Sequence, residues 1–301
     1  MRLVSFSTGR GIELGVIAAD DTVVPAGDLV SGLPREALGL IAAGPDAWAR
    51  LAASARTARG GVVLSAAQLQ APIPVPARNV MCVGWNYLEH FEEGKKTRGA
   101  DAKLEEIPDH PVLFSKNPRT VIGPGASIRH PAPLSSQLDW EAELAVVIGR
   151  EGQDIAERDA LGHVFGYTIG NDVSVRDVQR SWHGGQWFKG KNFDTHLPLG
   201  PWIATADEIA DPHALGISSR VNGVTKQSSN TRHMVFKIPR IIAELSAGMA
   251  LVPGDVILTG TPAGVGMGRT PPEWLAVGDV VELEIEGLGV LRNPVAARAA
   301  S

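Results

Sequence analysis

The most informative stretch of this chain is DWEAELAVVI, residues 139–148, in which two glutamates precede a run of apolar and β-branched residues. The run at 144–148 is typical of a short buried strand. Side chains two apart on a strand point to the same side, so we expect Glu141 and Glu143 to project together. Two neighbouring carboxylates repel each other unless a cation or a proton lies between them. The pattern therefore indicates either a solvated strand face or a cation site.

A third acidic residue stands at the end of another predicted strand. Residues 164–169 form a second apolar run, and Asp172 follows it where the chain turns. Strand ends and the loops after them carry functional residues more often than strand interiors do. The chain has a single cysteine, Cys82, and no paired histidines accompany these carboxylates. Three carboxylates form a hard oxygen site, which suits Mg²⁺ or Mn²⁺ rather than zinc.

Short strands are predicted along much of the rest of the chain. Further strand patterns lie at residues 2–6, 12–18, 22–24, 256–259 and 280–285. Leucine and isoleucine at helical spacing predict two short helices within 36–59, broken at Gly44-Pro45, and one helix over 238–247.

A proline-rich connector is the best candidate for a domain boundary. Pro72, Pro74 and Pro76 each fix φ and disfavour helix in the residue before them, so the connector is expected to be stiff and extended. We therefore predict a small N-terminal domain, residues 1–71, and a main domain, residues 72–301.

Length and composition exclude several classes of protein. The 301 residues include 28 Lys and Arg and 33 Asp and Glu, a formal net charge of −5. A mildly acidic chain has no strong field for polyanions, so no nucleic-acid partner is expected. No apolar run approaches the roughly 18 residues of a membrane span. Arg10 and Glu13 interrupt the N-terminus before a signal peptide can form. A soluble cytoplasmic protein with no membrane partner is expected.

Two further segments contain candidates for acid–base chemistry. His90 and Glu93 are three residues apart, close enough on one helical turn for the carboxylate to orient the imidazole. Such a histidine can act as a general base toward water, and the alternative is a surface histidine beside acidic residues. Lys191, in the stretch FKGKNF, is either a site residue or a solvated cation. The charged segment 92–109 shows no periodicity and is predicted to be a mobile lid or binding loop.

A glycine-rich turn, GTPAGVG at residues 260–266, follows the strand predicted at 256–259. It lacks the Lys-Ser/Thr pair of a P-loop, and Pro262 does not fit a dinucleotide fingerprint. We expect the turn to bring backbone N–H groups and the Thr261 hydroxyl close to something small, with a carboxylate favoured. The sequence contains no Gly-x-Ser-x-Gly elbow, so a serine hydrolase would have no visible nucleophile.

Six blocks of sequence, in order between residues 72 and 294, resemble the fumarylacetoacetate hydrolase superfamily. The blocks are GWNYLEHFEE, PVLFSKNP, LDWEAELAVVIG, GYTIGNDVSVRDVQ, KGKNFDTHLPLGP and VPGDVILTGTPAGVG. The resemblance implies an α+β fold that is mostly β, a mixed β-sandwich roll of the fumarylacetoacetate hydrolase type with a small N-terminal α+β domain. It also implies a homodimer and a Mg²⁺ cofactor, with Mn²⁺ or Ca²⁺ as alternatives.

The same resemblance implies roles for nine residues. Metal carboxylates of the family match Glu141, Glu143 and Asp172, its lid-borne dyad matches His90 and Glu93, its active-site lysine matches Lys191, and its substrate contacts match Arg176, Gln179 and Thr261. The sequence departs from the family pattern at Trp85, Val175 and His196-Leu197. None of these departures removes a metal ligand or the dyad, so they bear on the shape of the pocket and on the substrate.

The function implied is hydrolysis of a C–C bond in a 2,4-dioxo acid, an acylpyruvate such as fumarylpyruvate. In this hypothesis the metal chelates the carboxylate and 2-oxo oxygens, and His90 activates water. The metal and Lys191 then stabilise the departing pyruvate enolate. Alternatives within the superfamily are a decarboxylase or an isomerase acting on oxaloacetate-like or 2-hydroxy-diene-dioate substrates in aromatic catabolism, which need only a metal-stabilised enolate. A non-catalytic ligand-binding protein would be expected to lose a metal carboxylate or the lysine, and all are present.

Overall fold

The computed structural model describes residues 1–98 and 106–298, which form many short strands and a few short helices. The strands are β1 (Arg2–Thr8), β2 (Gly11–Ile17), β3 (Thr22–Pro25), β4 (Val62–Val63), β5 (Leu69–Gln70), β6 (Val80–Gly84), β7 (Val112–Lys116), β8 (Val121–Ile122), β9 (Ile128–Arg129), β10 (Leu138–Asp139), β11 (Ala142–Ile148), β12 (Val164–Asn171), β13 (Ser174–Val175), β14 (Leu197–Thr205), β15 (Gly216–Val221), β16 (Val224–Asn230), β17 (Val256–Leu258), β18 (Val280–Ile285) and β19 (Gly289–Ala296). The α-helices are α1 (Ala26–Leu29), α2 (Ala37–Ala42), α3 (Pro45–Ala55), α4 (Leu88–Arg98), α5 (Arg176–Ser181), α6 (Phe188–Lys191) and α7 (Ile238–Ser246).

Three sheets organise the described residues. The largest has twelve strands in the order β4-β3-β2-β1-β14-β12-β11-β17-β6-β7, with β5 paired to β1 and β8 paired to β14. A five-stranded sheet has the order β16-β15-β18-β19-β9, and β10 pairs with β13. Most neighbours are antiparallel, whereas the pairs β17–β6, β14–β8 and β19–β9 are parallel. The predicted α+β fold, mostly β and with mixed sheets, is confirmed.

The apolar run predicted as a strand forms the last five residues of β11, which lies between β12 and β17 in the large sheet. Every residue of β11 is buried. Leu144 and Val146 contribute to one hydrophobic core, whereas Ala145 and Val147 contribute to another. A strand with a core on each face must be apolar on both faces, which explains why the run is continuous rather than alternating. The same alternation fixes the side to which Glu143 projects.

The N-terminal residues extend the large sheet. β1 pairs with β14, with Leu3 opposite Ile203. Leu3 and Leu40 share a hydrophobic core with Val147 of β11. The division into domains at residues 71 and 72 stays a prediction.

The helices predicted within 36–59 and over 238–247 are confirmed as α2, α3 and α7. α3 begins at Pro45, where a missing backbone N–H leaves no helical hydrogen bond unmade. α7 ends shortly before Gly248, which adopts the left-handed φ of 72° that favours glycine after a helix. Within the described ranges no helix is long and apolar enough to cross a membrane.

Helix α4 covers part of the segment 92–109, in which no helix was expected. Its sequence, LEHFEEGKKTR, has few apolar residues, so periodicity gives no signal for it. Tertiary packing stabilises the helix instead, because Phe91 is buried and its ring centroid lies 5.9 Å from that of Trp85. Residues 99–105 of the predicted lid lie outside the described residues, and lid closure stays a prediction.

Candidate active site

Three buried carboxylates meet where β11 begins and β12 ends. In the β11–β12 ladder, Glu143 lies opposite Gly170. The Asp172 backbone N–H then donates to the Glu141 carbonyl oxygen, 3.0 Å away. One carboxylate oxygen from each of Glu141, Glu143 and Asp172 lies within 4.8 Å of the others. The structure thus brings together the three carboxylates predicted from the sequence, and their role as metal ligands stays a prediction.

Two buried lysines form ion pairs with two of these carboxylates, Glu141 and Asp172. Lys191 Nζ lies 2.6 Å from Glu141 Oε2 and 2.7 Å from Asp172 Oδ2. Lys116 Nζ lies 2.8 Å from Asp172 Oδ1 and donates to the Lys191 carbonyl oxygen. We call Glu141, Glu143, Asp172 and Lys191 the floor. Sequence analysis missed Lys116, for which the sole signal is a lysine at the end of a short strand.

The electrostatics of the floor differ between its two glutamates. Burial favours a protonated Glu141, but Lys191 and Arg176 outweigh that effect and hold the pKa of this carboxyl below its ordinary value. Burial, together with the negative charges of Asp172 and Glu141, raises the pKa of Glu143 well above its ordinary value. Burial disfavours the Lys191 ammonium, yet Asp172 and Glu141 raise its pKa, so the ammonium remains charged.

These residues fit a hard divalent cation. The donor set consists of carboxylate oxygens, which Mg²⁺ and Mn²⁺ prefer. Asp172 Oδ1 is buried and accepts no hydrogen bond, although the Lys116 ammonium lies nearby. A cation among the three carboxylates would also remove the repulsion that raises the pKa of Glu143.

Arg176 and Gln179 line the cavity, and both form hydrogen bonds within the protein. Arg176 donates to Asp139 Oδ2 at 2.7 Å, to Glu141 Oε1 at 2.7 Å and to Gln179 Oε1 at 3.0 Å. Its guanidinium therefore positions the Glu141 carboxylate, because charge-assisted hydrogen bonds fix both groups. Contact of Arg176 and Gln179 with substrate stays a prediction. Asp139, fully buried, is a second residue that sequence analysis missed, although it opens the quoted stretch.

The glycine-rich turn binds carboxylates, as expected, but these belong to the protein itself. Backbone N–H groups donate from Gly260 to Glu143 at 2.7 Å, from Gly264 to Glu93 at 3.0 Å and from Gly266 to Asp139 at 2.6 Å. Gly264 adopts a φ of 102°, and a Cβ there would lie 2.2 Å from the Lys226 carbonyl oxygen.

Thr261 lines the cavity, yet its hydroxyl is engaged inside the protein. The hydroxyl donates to the Ala142 carbonyl oxygen at 2.9 Å and accepts from Gln227 Nε2 at 2.7 Å. Its single proton is therefore used, and only acceptor capacity remains for a ligand. The role of Thr261 in binding substrate stays a prediction.

His90 and Glu93 lie on successive turns of α4 and face each other. His90 Nδ1 is 3.2 Å from Glu93 Oε2, and the Glu93 carboxylate is also held by the Gly264 N–H. The tautomer in which Nδ1–H donates to Glu93 leaves Nε2 as the proton acceptor. His90 is buried, lines the cavity and is near enough for its charge to lower the pKa of Glu141.

Three residues of the floor, Glu141, Glu143 and Lys191, line a cavity of about 460 Å³ together with His90. Its walls include an aromatic side, formed by three half-buried rings, and a polar side toward the solvent. The aromatic side consists of Trp85, Phe114 and Trp187, and the polar side includes Gln179, Arg180 and Ser181.

A family model matches most of this chain. The family model for the fumarylacetoacetate (FAA) hydrolase C-terminal domain matches residues 79–296. The chain therefore belongs to the fumarylacetoacetate hydrolase family and is an enzyme of that superfamily.

Two relatives share a named activity. The mitochondrial oxaloacetate tautomerase fahd2 of Xenopus laevis is 49% identical over 227 residues, covering 75% of this chain and 68% of the relative. The oxaloacetate tautomerase YisK of Bacillus subtilis is 45% identical over 232 residues, covering 77% of this chain and 74% of the relative.

Solved structures with the same fold carry different named activities. Fumarylacetoacetate hydrolase from Exiguobacterium antarcticum superposes with a TM-score of 0.80 at 39% identity, covering 99% of this chain and 100% of that chain. For 2-hydroxyhepta-2,4-diene-1,7-dioate isomerase from Mycobacterium marinum the TM-score is 0.74 at 35% identity, with 100% of both chains covered. Maleylpyruvate hydrolase from Sphingobium sp. SYK-6, in complex with manganese(II) and pyruvate, superposes with a TM-score of 0.79 at 29% identity, covering 99% of this chain and 100% of that chain.

Proposed function

We propose that this protein is a metal-dependent tautomerase that interconverts the enol and keto forms of a small 2-oxo acid of the oxaloacetate type. The observation that carries the proposal is the floor, in which three buried carboxylates and a buried ammonium converge beneath a cavity. Such a floor suits a reaction in which negative charge develops on a 2-oxo oxygen. The names of two relatives at 45% and 49% identity favour the isomerase alternative over C–C bond hydrolysis.

Glu141, Glu143 and Asp172 are the residues we propose to hold the cation, with Mg²⁺ as the proposed ion and Mn²⁺ or Ca²⁺ as alternatives. When bound, a divalent cation supplies Lewis-acid stabilisation for an oxygen that gains negative charge. The Lys116 ammonium and the Arg176 guanidinium hold the carboxylates Asp172 and Glu141 in place.

The proton transfers are assigned to His90. Tautomerisation removes the proton from the enol oxygen on C2 and adds a proton to C3, so no atom or electron is gained or lost overall. Nε2 is the ring nitrogen that can accept and return a proton, because Nδ1 faces Glu93. Lys191, charged and buried at the floor, supplies a fixed positive charge for the oxygen on C2.

The test is the decay of freshly dissolved enol-oxaloacetate, followed by its ultraviolet absorbance. The wild-type protein with Mg²⁺ should accelerate the decay to the keto form without release of carbon dioxide. Chelation should abolish the acceleration. Release of carbon dioxide at the rate of enol loss would select the decarboxylase, and an enol decay equal to the buffer control would overturn the proposal.

Hydrolysis of an acylpyruvate is the second candidate, favoured by the His90–Glu93 pair, in which a half-buried carboxylate lies 3.2 Å from a buried imidazole that could act as a base toward water. The manganese-containing maleylpyruvate hydrolase of similar fold also favours it. Stoichiometric release of pyruvate and a carboxylic acid from an acylpyruvate, without enol–keto exchange of oxaloacetate, would establish this candidate instead.

We also propose that the chain forms a homodimer and acts in the cytoplasm, as the sequence led us to expect. Sedimentation of the purified protein at concentrations from low to high micromolar tests the dimer directly. A single species of 31.8 kDa throughout would contradict it.

A further inference from the structure

A continuous series of aromatic rings leads away from the floor. The Phe114 ring lies 5.0 Å from Lys191 Nζ. Trp187 packs edge-to-face on Phe114, with centroids 5.4 Å apart, and Trp85 packs edge-to-face on Trp187 at 4.8 Å. All three rings are half-buried and line the cavity. We call Trp85, Phe114 and Trp187 the aromatic wall.

Two backbone features hold the aromatic wall in place. Trp85 adopts a φ of 54°, which is rare for a bulky residue and indicates that the surroundings fix its conformation. At Gly84 a Cβ would lie 2.4 Å from the Trp187 ring, so the absence of a side chain lets that ring pack against β6. Constrained conformations of this kind concentrate at ligand sites.

The aromatic wall has no counterpart in a four-carbon dicarboxylate. Oxaloacetate carries a carboxylate at each end and offers no apolar group to pack against three rings. The cavity, about 460 Å³, is within the range that encloses ligands of much larger size. Aromatic rings are best matched by another ring or an apolar chain, since edge-to-face contacts favour such partners.

We propose that the aromatic wall is a subsite for an aromatic substituent on C3 of the 2-oxo acid, so that 2-oxo acids of the arylpyruvate class are tautomerised here. The inference rests on the proposed function, because it places the 2-oxo acid at the floor. A substituent on C3 then extends toward Phe114, the ring of the wall that lies nearest Lys191. The reaction is the same proton exchange, with the enol O–H proton lost and a proton added at C3.

The test compares kcat/KM for enol-phenylpyruvate with kcat/KM for enol-oxaloacetate. Trp187→Ala should lower the ratio of the two values by about tenfold or more, chiefly through KM for the aryl acid. Trp187→Phe should restore most of the ratio. Gly84→Ala should lower the ratio too, because the new Cβ displaces the Trp187 ring.

Trp182→Ala is the matched control. Trp182 is 41% exposed, lies in the same part of the chain as Trp187 and is not among the residues that line the cavity. Its removal should leave the ratio unchanged. A ratio equally insensitive to Trp187→Ala and Gly84→Ala would overturn the inference.

Calorimetric binding separates this inference from the proposed function. Phenylpyruvate should bind the wild-type protein in the presence of Mg²⁺, and Trp187→Ala should weaken that binding about tenfold. Turnover of oxaloacetate without turnover or binding of phenylpyruvate would overturn the subsite and leave the proposed function intact. Binding of phenylpyruvate that depends on Trp187, with no turnover of either enol, would overturn the proposed function and with it the tautomerisation of arylpyruvates, and would support only the aromatic subsite.

Discussion

The floor and helix α4 both face the cavity, but the protein holds them in different ways. The carboxylates of the floor lie where the central strand β11 begins and β12 ends, Lys191 comes from α6, and Glu141 is bound by both Lys191 and Arg176. His90, on α4, depends on a polar helix and on Glu93, which is bound by Gly264. The charged groups proposed to hold a cation thus lie at the ends of central strands, whereas His90, the proposed proton-transfer group, lies on helix α4. Loss of a floor carboxylate should therefore abolish metal binding and activity, whereas loss of His90 should only slow the reaction.

The largest effect is expected from Glu141→Ala. The substitution removes one of three proposed ligands and leaves Lys191 and Arg176 without their shared carboxylate. We expect loss of metal and of all activity, and a fall of about 3–5 kcal/mol in the free energy of unfolding, typical of a broken buried ion pair. Metal analysis and denaturant titration measure both. Glu151→Ala, at an exposed position, is the control, and retained metal in Glu141→Ala would contradict the assignment.

His90→Ala should lower kcat by about 10²–10⁴-fold, the usual contribution of a general acid–base. Metal binding should persist, because the floor does not use this residue. A cation at a hundredfold excess over its Kd should still add about 2.7 kcal/mol to stability, seen as a rise in Tm. Glu89→Ala, exposed on the same helix, is the control. Near-normal turnover in His90→Ala would show that the histidine takes no part in the reaction.

Gly268→Ala tests the contribution of α4 separately from that of the floor, because the added Cβ would meet Glu93 on α4. A Cβ at Gly268 would lie 2.0 Å from the Glu93 carboxyl carbon, so the Glu93 side chain must leave the position in which it contacts His90. We expect about a tenfold fall in kcat, as the imidazole loses its orienting partner. Metal affinity should stay unchanged. Gly162→Ala, whose Cβ would meet nothing within 4 Å, is the matched control, and equal activities of the two variants would contradict this view of Glu93.

We expect acid to lower the free energy of unfolding through His196, a buried residue that directly precedes β14 of the large sheet. Burial, with a smaller contribution from the charge of Lys116, the partner of Asp172, lowers the pKa of His196 to about 3. In the unfolded chain this histidine binds a proton near pH 6.5, whereas in the folded chain it does not. The free energy of unfolding is therefore highest above pH 6.5 and falls as the pH decreases from 6.5 toward 3. We expect a loss of about 1–2 kcal/mol between pH 7 and 5.5. His196→Gln should flatten this dependence in denaturant titrations, and an unchanged slope would contradict it.

Local pattern was enough to predict much of the fold and of the site. The apolar run at 144–148 predicted the central strand, and the spacing of Glu141 and Glu143 predicted that they project together. Asp172, which is distant in sequence, lies beside Glu141 and Glu143 because β11 and β12 are neighbours in the large sheet. These predictions succeeded because a strand buried on both faces leaves a continuous apolar signal in the sequence.

Other features depend on contacts between residues far apart in sequence. Lys116 reaches Asp172 from β7, which is not a sheet neighbour of β12. Helix α4 lacks an apolar stripe, so only its tertiary packing explains it. The carboxylates bound by the glycine-rich turn were predicted as a chemical type but not as Glu143, Glu93 and Asp139. Nothing local in the sequence specifies which side chain meets a given backbone N–H.

The turn at residues 260–266 has a consequence for engineering this enzyme. Its backbone amides bind three carboxylates at once, namely those of Glu143, a proposed metal ligand, Glu93, the partner of His90, and Asp139, the partner of Arg176. An insertion there would misalign all three together, so libraries that aim at new substrates should leave this segment intact and vary the opposite side of the pocket.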